Sequence, residues 1–529
     1  MTLPTLALDP FSRCTRAADP ISTRPGVNFE NAYTYDAASN RNSLTAPDGS
    51  ISTYGYDVLN RLNGLANSWA GSFSFGYDAL SRRTQLTRPN GITTNYSYDS
   101  LSHLLSVLHQ AGANTLDGAS YTYDPAGNRT SKGNYLNGIT SNYTYDPLYE
   151  LTQVTQGSST TESYTYDAVG NRLSSSAVPT YSYNSANELT SSSAGGYTYD
   201  ANGNTLSDPS GKSYSWDFEN RLTSVGVPGT NGGTTTFKYD PFGRRIQKSG
   251  PLGTTNYLYD GIDLQADDIQ EVDNSGNILA RYIEANYIDQ PLAEVRGATT
   301  SYYDGDALGS VTSLSNSTGV LANLYTYDTF GNITTSTGTL TNPFHFTGRD
   351  ADSESNLYYY RTRYYDPTIG RFLSEDLARF GAGQDFYAYV RNNPARFKDP
   401  SGLIGIDGSC SCPDNKNAIQ AATPLAIAGA AGISDPKLRD CVLNHLNNGT
   451  VKCGGKRCDK GSTPDSNGNV TAGWAMPWGN TIHLCGAANG PAPRMACIMI
   501  HEMAHTCGHP GEGTPDKAMN QAFPGQCPQ

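Results

Sequence analysis

The most explicit chemistry in the sequence lies near its C-terminus, in His501-Glu502-Met503-Ala504-His505. On a helix, two imidazoles four residues apart share one face and can grip one Zn2+. Glu502 then stands where it can take a proton from metal-bound water. That is the chemistry of a zinc metalloendopeptidase acting on a protein or peptide substrate. A catalytic zinc site keeps three protein ligands and one open position. Asp516, Glu512 and His509 are the candidates for the third ligand. His483 is a candidate for contacting substrate or an oxyanion, although a histidine paired within a strand is the plainer reading.

These side chains need a helix and a strand to hold them. The apolar run Cys497-Ile498-Met499-Ile500 predicts a buried helix leading into His501, and Gly508 and Pro510 end it. Residues 480–485 predict a strand, and a strand beside that helix would suit an extended peptide added edge to edge. Nine of the ten cysteines follow residue 403 and form no Cys-x-x-Cys pair. They read as disulfides with one thiol left over, which implies maturation in an oxidising compartment. Residues 418–432 are rich in Ala and Gly, but the run is too short to span a membrane, so a packed helix is expected there.

The composition breaks sharply ahead of this tail. All 36 tyrosines lie between Tyr33 and Tyr389. The net charge of −13 belongs to the residues before 404, because the tail holds equal numbers of acidic and basic side chains. The 529 residues leave room for several domains. A net negative chain excludes binding of nucleic acid through overall charge, so no nucleic-acid partner is expected. No apolar run is long enough for a membrane span, and no signal peptide is visible at the start.

Before the break, Tyr-Asp recurs about every 20 residues, with its aspartates at Asp36, Asp57, Asp78, Asp99, Asp124, Asp146 and Asp167 and again at Asp200, Asp240 and Asp260. A fixed period of that size signals a repeat array in which each unit borrows its neighbour's surface. Within a unit the period is two. Tyr164-Thr165-Tyr166 sets two rings on one face and Thr on the other. Turns such as Asp124-Pro125-Ala126-Gly127-Asn128 follow, with Asp bonding nearby backbone and Gly tolerating positive φ. Each unit reads as a β-hairpin stacked on the next, and the tyrosines read as packing.

These repeats resemble the YD repeats of the Rhs family of polymorphic toxins. The resemblance continues through Gly305-Asp306-Ala307-Leu308-Gly309-Ser310-Val311, Phe346-Thr347-Gly348-Arg349 and Tyr358-Tyr359-Tyr360-Arg361-Thr362-Arg363-Tyr364-Tyr365-Asp366-Pro367. It ends with Asn392-Asn393-Pro394 and Asp399-Pro400-Ser401-Gly402-Leu403. It implies a mainly β chain whose hairpin array winds into a shell or cocoon around a C-terminal toxin, and the tail's own residues read as a small α+β, disulfide-rich HExxH domain. The expected divisions are 1–304 for the repeats, 305–403 for the Rhs-associated core and 404–529 for the toxin domain.

The resemblance further implies an aspartic self-protease that cuts between Leu403 and Ile404. Asp376 and Asp399 match the carboxylate pair, and Arg363 matches the accompanying arginine. Two adjacent carboxyls can divide the work, one as acid and one as base. Leu377 departs from the proline usual after the first aspartate. In the tail, Gly513-Thr514-Pro515-Asp516 resembles a segment of aspzincin peptidases, which favours Asp516 as the third zinc ligand. The family also implies export or delivery to a target cell by a specialised secretion system, a cognate immunity protein and a further shell component as partners. Competing readings are a nuclease or other toxic domain, and a non-enzymatic YD-repeat protein that binds cell surfaces.

Overall fold

The computed structural model describes residues 30–403, apart from 231, 262–266, 286–287 and 377–384. Beyond them it describes the backbone of Leu6–Leu8, Cys14–Ala18, Ile406–Asp407, Thr450–Cys453, Gly473–Ala475 and Thr481–Leu484. The described residues form strands joined by tight turns, with two short 3-10 turns and no α-helix.

The turn explains the repeat. Asp57 Oδ1 accepts the backbone N–H of Leu59 at 2.9 Å and of Arg61 at 3.0 Å, while its Oδ2 takes the Arg61 side chain at 2.6 Å. Asn60 adopts φ +58° to close the bend. Asp78 repeats this with Leu80 and Arg82, and Ser81 takes φ +61°. Partial burial opposes ionisation of Asp57, but the bonds from Arg61 and the turn backbone outweigh it and hold the carboxyl below its usual range.

The tyrosine before each aspartate ties one hairpin to the last. Tyr77 donates its hydroxyl to the Leu62 carbonyl at 2.8 Å, Tyr98 to Arg83 at 2.8 Å and Tyr166 to Leu151 at 2.9 Å. The arginine of the preceding turn lies over the same ring, Arg61 over Tyr77 at 4.8 Å and Arg82 over Tyr98 at 4.7 Å. The apolar ring fills the inner face while its polar tip satisfies a neighbouring strand. Thr165, between two such rings, faces out and bonds Ser174 across the ladder at 2.6 Å.

Hairpins are joined edge to edge rather than stacked layer on layer. An unpaired strand edge is a template for the next strand, and each hairpin supplies that edge. The result is a 16-stranded antiparallel sheet in strict sequence order, a three-stranded piece and a 14-stranded sheet ending at Ile333–Thr337. The strand Thr299–Gly305 of the last sheet spans residues 304 and 305, with a bulge in its register between them.

The two large sheets close on each other. Leu65, Phe73 and Leu86 of the first pack with Leu258, Ile283 and Leu292 of the second. Arg88, buried, pairs with Asp304 at 3.0 Å and donates to the Tyr303 carbonyl at 2.7 Å. Further along, Lys132 meets Asp306 at 2.8 Å beside a cavity of about 700 Å³ between the sheets. A four-stranded sheet, Asp350–Asp352 to Arg371–Phe372, is fastened to this wall. Arg245 crosses from the repeats to Asp352 at 2.7 Å and lies over the Tyr359 ring.

Candidate active site

The four-stranded sheet carries the site. Its central hairpin pairs Leu357–Tyr360 with Arg363–Asp366 and turns at Arg361-Thr362. The strands are tyrosine-rich because both faces are covered. Tyr358, Tyr360 and Tyr365 pack with Phe346, Phe372 and Tyr389 in one aromatic cluster. That packing gives the hairpin tip little freedom to move.

Arg363 emerges at the tip, 3 % exposed, with its guanidinium 3.6 Å from the centre of the Phe372 ring. Its Nη2 lies 2.9 Å from Asp376 Oδ2 and 3.4 Å from Asp399 Oδ2. Both carboxylates are buried, and one guanidinium nitrogen reaches both. The structure therefore brings Arg363, Asp376 and Asp399 together, although they come from three stretches of chain. A cation between two carboxylates offsets part of their repulsion and sets their spacing. Arg363 also donates to the Phe386 carbonyl at 3.0 Å, and Asp376 N–H donates to the same carbonyl oxygen at 3.0 Å.

Asp399 begins the turn that ends at Leu403. Its Oδ1 accepts the Leu403 N–H at 3.0 Å and the Ser401 hydroxyl at 3.3 Å. Leu403 is 8 % exposed, and Ile404 lies outside the described residues. Gly402 sits at φ +74°, and a Cβ there would stand 2.5 Å from the Tyr360 carbonyl oxygen. Only glycine fits that backbone and that space. Before the turn, Phe397–Lys398 pairs antiparallel with Ile406–Asp407. The loop between these short strands contains the Leu403–Ile404 bond.

Sequence reasoning missed what holds this loop in place. Residues 385–396, between the two aspartates, form a strap across the repeat turns. Tyr387 donates to the Gly203 carbonyl, Asn392 to Gly170, Asn393 to Tyr149 and Arg396 to Ala126, at 2.7 to 2.9 Å. Arg371, clamped by both oxygens of Asp385, adds the Asn187 carbonyl at 2.8 Å. Four turns are thus read by one segment, and Arg371, held by Asp385, reads a fifth between them. Val390, Arg391 and Asn392 all take positive φ to follow the rim, a costly backbone for residues with a side chain. The repeated Asn392-Asn393 pair was the available signal, since amides suit exposed turn carbonyls.

The tail candidates fare differently. His501, Glu502, His505, His509, Glu512 and Asp516 lie outside the described residues. So do the tail cysteines other than Cys453, which falls in a described strand. His483 falls in Thr481–Leu484, the middle strand of three. It pairs in parallel with Lys452 and antiparallel with Trp474. Both edges of that strand are occupied, so a peptide cannot add to it edge to edge as expected. Among the described residues, no group of three His, Cys, Asp or Glu side chains could hold a metal ion, and no helix is long and apolar enough to cross a membrane.

Comparison with known proteins supports this architecture. The family model described as Teneurin YD-shell matches residues 122–398, more than half of the chain. The tRNA nuclease WapA of Bacillus subtilis is 36 % identical over 174 residues, covering 32 % of this chain and 7 % of that protein. Double-stranded DNA deaminase toxin A of Burkholderia cenocepacia is 27 % identical over 205 residues, covering 32 % of this chain and 14 % of that protein. The chain thus spans a small part of the relatives it matches. The crystal structure of TcdB2-TccC3 superposes with a TM-score of 0.63 at 21 % identity, over 75 % of this chain and 24 % of that one.

Proposed function

From the premise that the chain belongs to the Teneurin YD-shell family, we propose that it forms the shell of a toxin and cuts itself after Leu403 to free a C-terminal effector. The observation that carries the cut is the placement of Asp376 and Asp399 on one arginine, with Leu403 N–H bound to Asp399. In the reaction, water adds across the Leu403–Ile404 peptide bond. One carboxylate takes a proton from the water as its oxygen attacks the Leu403 carbonyl carbon. The other carboxyl gives a proton to the departing Ile404 nitrogen, leaving a Leu403 carboxylate and a free amine. Arg363 holds the pair in register, and the strap supports the loop.

The test is direct. The full chain is expressed as wild type, Asp376→Asn and Asp399→Asn, and the products are weighed by mass spectrometry. The wild type should give two fragments split between Leu403 and Ile404. Each variant should stay whole, since losing a general base or acid costs about 10²- to 10⁴-fold. An uncut wild type, or a cut elsewhere, would end this reading.

The freed tail is read as an enzymatic effector delivered to a target cell and restrained in the producer by an immunity protein. Its own sequence favours a zinc peptidase, with His501, His505 and Asp516 as ligands and Glu502 as base. A bound Zn2+ would supply an acidified water there. The names of relatives favour a second reading, because they include a tRNA nuclease and a DNA deaminase. The exclusion of nucleic acid by overall charge is therefore withdrawn, since toxins of related sequence are named for acting on it. Zinc content and growth arrest, measured for the full chain with and without Glu502→Gln, separate the two. A metal-bound, toxic wild type and a harmless variant support the peptidase; unchanged toxicity favours the nuclease or deaminase class.

A further inference from the structure

The hairpin tip does more than supply Arg363. Three successive residues there meet three successive carbonyls just before the scissile bond. Arg361 Nη1 donates to the Pro400 carbonyl at 2.6 Å. Thr362 donates to the Ser401 carbonyl through its hydroxyl at 2.7 Å and its N–H at 3.3 Å. Arg363 Nε donates to the Gly402 carbonyl. We propose that Arg361-Thr362-Arg363 is a main-chain clamp for the self-cleavage reaction, with Arg361 and Thr362 as positioning residues. The inference rests on the self-cleavage reading above.

The clamp is rigid on its far side. Arg361 is 5 % exposed and takes φ +59°. Its guanidinium is anchored to Asp267 at 2.8 Å and to Asp289 at 2.8 Å. The loop is therefore referred to a buried ionic cluster in the wall. The contacts fall on backbone oxygens, so the clamp accepts any side chain at 400 or 401 that the turn tolerates. At 402 it accepts none, because a Cβ would strike the Tyr360 carbonyl and lie 2.6 Å from the Thr362 hydroxyl. The substrate so defined is a tight main-chain turn with glycine immediately before the leucine that becomes the new carboxylate. Holding three carbonyls fixes where Leu403 meets the carboxylate pair, which is how positioning lowers a barrier.

Thr362 gives a clean test, because its two properties can be removed separately. Thr362→Val keeps the shape and loses the hydroxyl, whereas Thr362→Ser keeps the hydroxyl and loses a methyl. Cleavage of the newly made full chain is followed by gel and mass spectrometry, with Asp399→Asn as the uncut control. The clamp requires Thr362→Ser to cut at nearly the wild-type rate and Thr362→Val to cut about tenfold more slowly, the loss of one hydrogen bond. Arg361→Lys, which keeps the charge facing Asp267 and Asp289, should also be slow. A Val variant as fast as wild type, or equal slowing in Ser and Val, overturns the clamp while leaving self-cleavage standing. An uncut wild type, or a cut Asp399→Asn chain, removes the self-cleavage reading and the clamp with it.

Discussion

Two turns in this molecule share almost the same sequence and differ in what they can do. Asp124-Pro125-Ala126-Gly127-Asn128 closes a repeat hairpin, and Asp399-Pro400-Ser401-Gly402-Leu403 carries the candidate cut. In both, the aspartate Oδ1 accepts the N–H four residues on, at 2.8 Å in the first and 3.0 Å in the second. Both glycines take positive φ. The difference lies at the last residue. Asn128 turns its amide back to Asp124 Oδ2 at 2.9 Å. The Leu403 side chain has no donor to offer, and Asp399 Oδ2 faces Arg363 instead. Asp124 is half-buried, while Asp399 is buried. The second turn thus differs from the first in that its outer carboxylate oxygen takes an arginine shared with a second, buried carboxyl.

The comparison can be broken most severely at glycine. Gly402→Ala should abolish cleavage, because its Cβ collides with backbone at 2.5 Å. Gly127→Ala should leave cleavage intact and cost about 1 kcal/mol for the positive φ, since its Cβ meets only movable ends of Arg396 and His103. Mass spectrometry and thermal melting of the two variants read the contrast. Next comes Leu403→Asn, which rebuilds the repeat turn at the cut. Its amide should capture Asp399 Oδ2 and slow cleavage about a hundredfold, measured as loss of the two fragments.

Acid should favour the wall that supports both turns. Burial pushes the Glu294 carboxyl up to about 7, against the pull of Arg296 and the Tyr303 hydroxyl and with Glu271 adding to the rise. A raised carboxyl binds its proton more tightly folded than unfolded. Its contribution is full below about pH 4.5 and is lost as pH rises through about 7. The uncut Asp399→Asn chain should therefore melt higher at pH 5.5 than at pH 8. Adding Glu294→Gln should shrink that difference by about 2 kcal/mol or less. The smallest effect concerns a single repeat tie. Tyr77→Phe removes the bond to Leu62 and should cost about 1 kcal/mol in denaturant unfolding without touching cleavage.

Much of the repeat was legible in the sequence because its causes are local. Asp-x-x-Gly and alternating Tyr-Thr-Tyr act within a few residues, so spacing alone predicts turn and strand. The bond from Tyr77 to Leu62 was not legible, because it depends on the register of the neighbouring hairpin. Asp376, Asp399 and Arg363 were found through a family resemblance, since composition and spacing cannot bring such separated residues together. Arg361 and Thr362 sat inside the quoted motif and went unread, because a side chain bound to main-chain oxygen leaves no pairing pattern. Overall charge does not decide the question of nucleic acid for a related reason. It averages over the whole chain and says nothing of any one segment, and related toxins are named for nucleic-acid targets.

The strap has one more consequence, and it concerns time. Residues 385–396 separate the two aspartates along the chain and grip four turns spread from residue 126 to residue 203, with Arg371 holding a fifth. The segment that joins Asp376 to Asp399 is seated on those turns, in the reverse of their order along the chain. A ribosome finishes the turns first and the strap afterwards, so the blade is assembled by the wall it depends on. If the proposed cut occurs, a miswound wall would leave the two carboxyls apart and the tail attached. On the self-cleavage proposed above, the strap would act as an inspector of its own container, with the tail let go only from a wall that has passed.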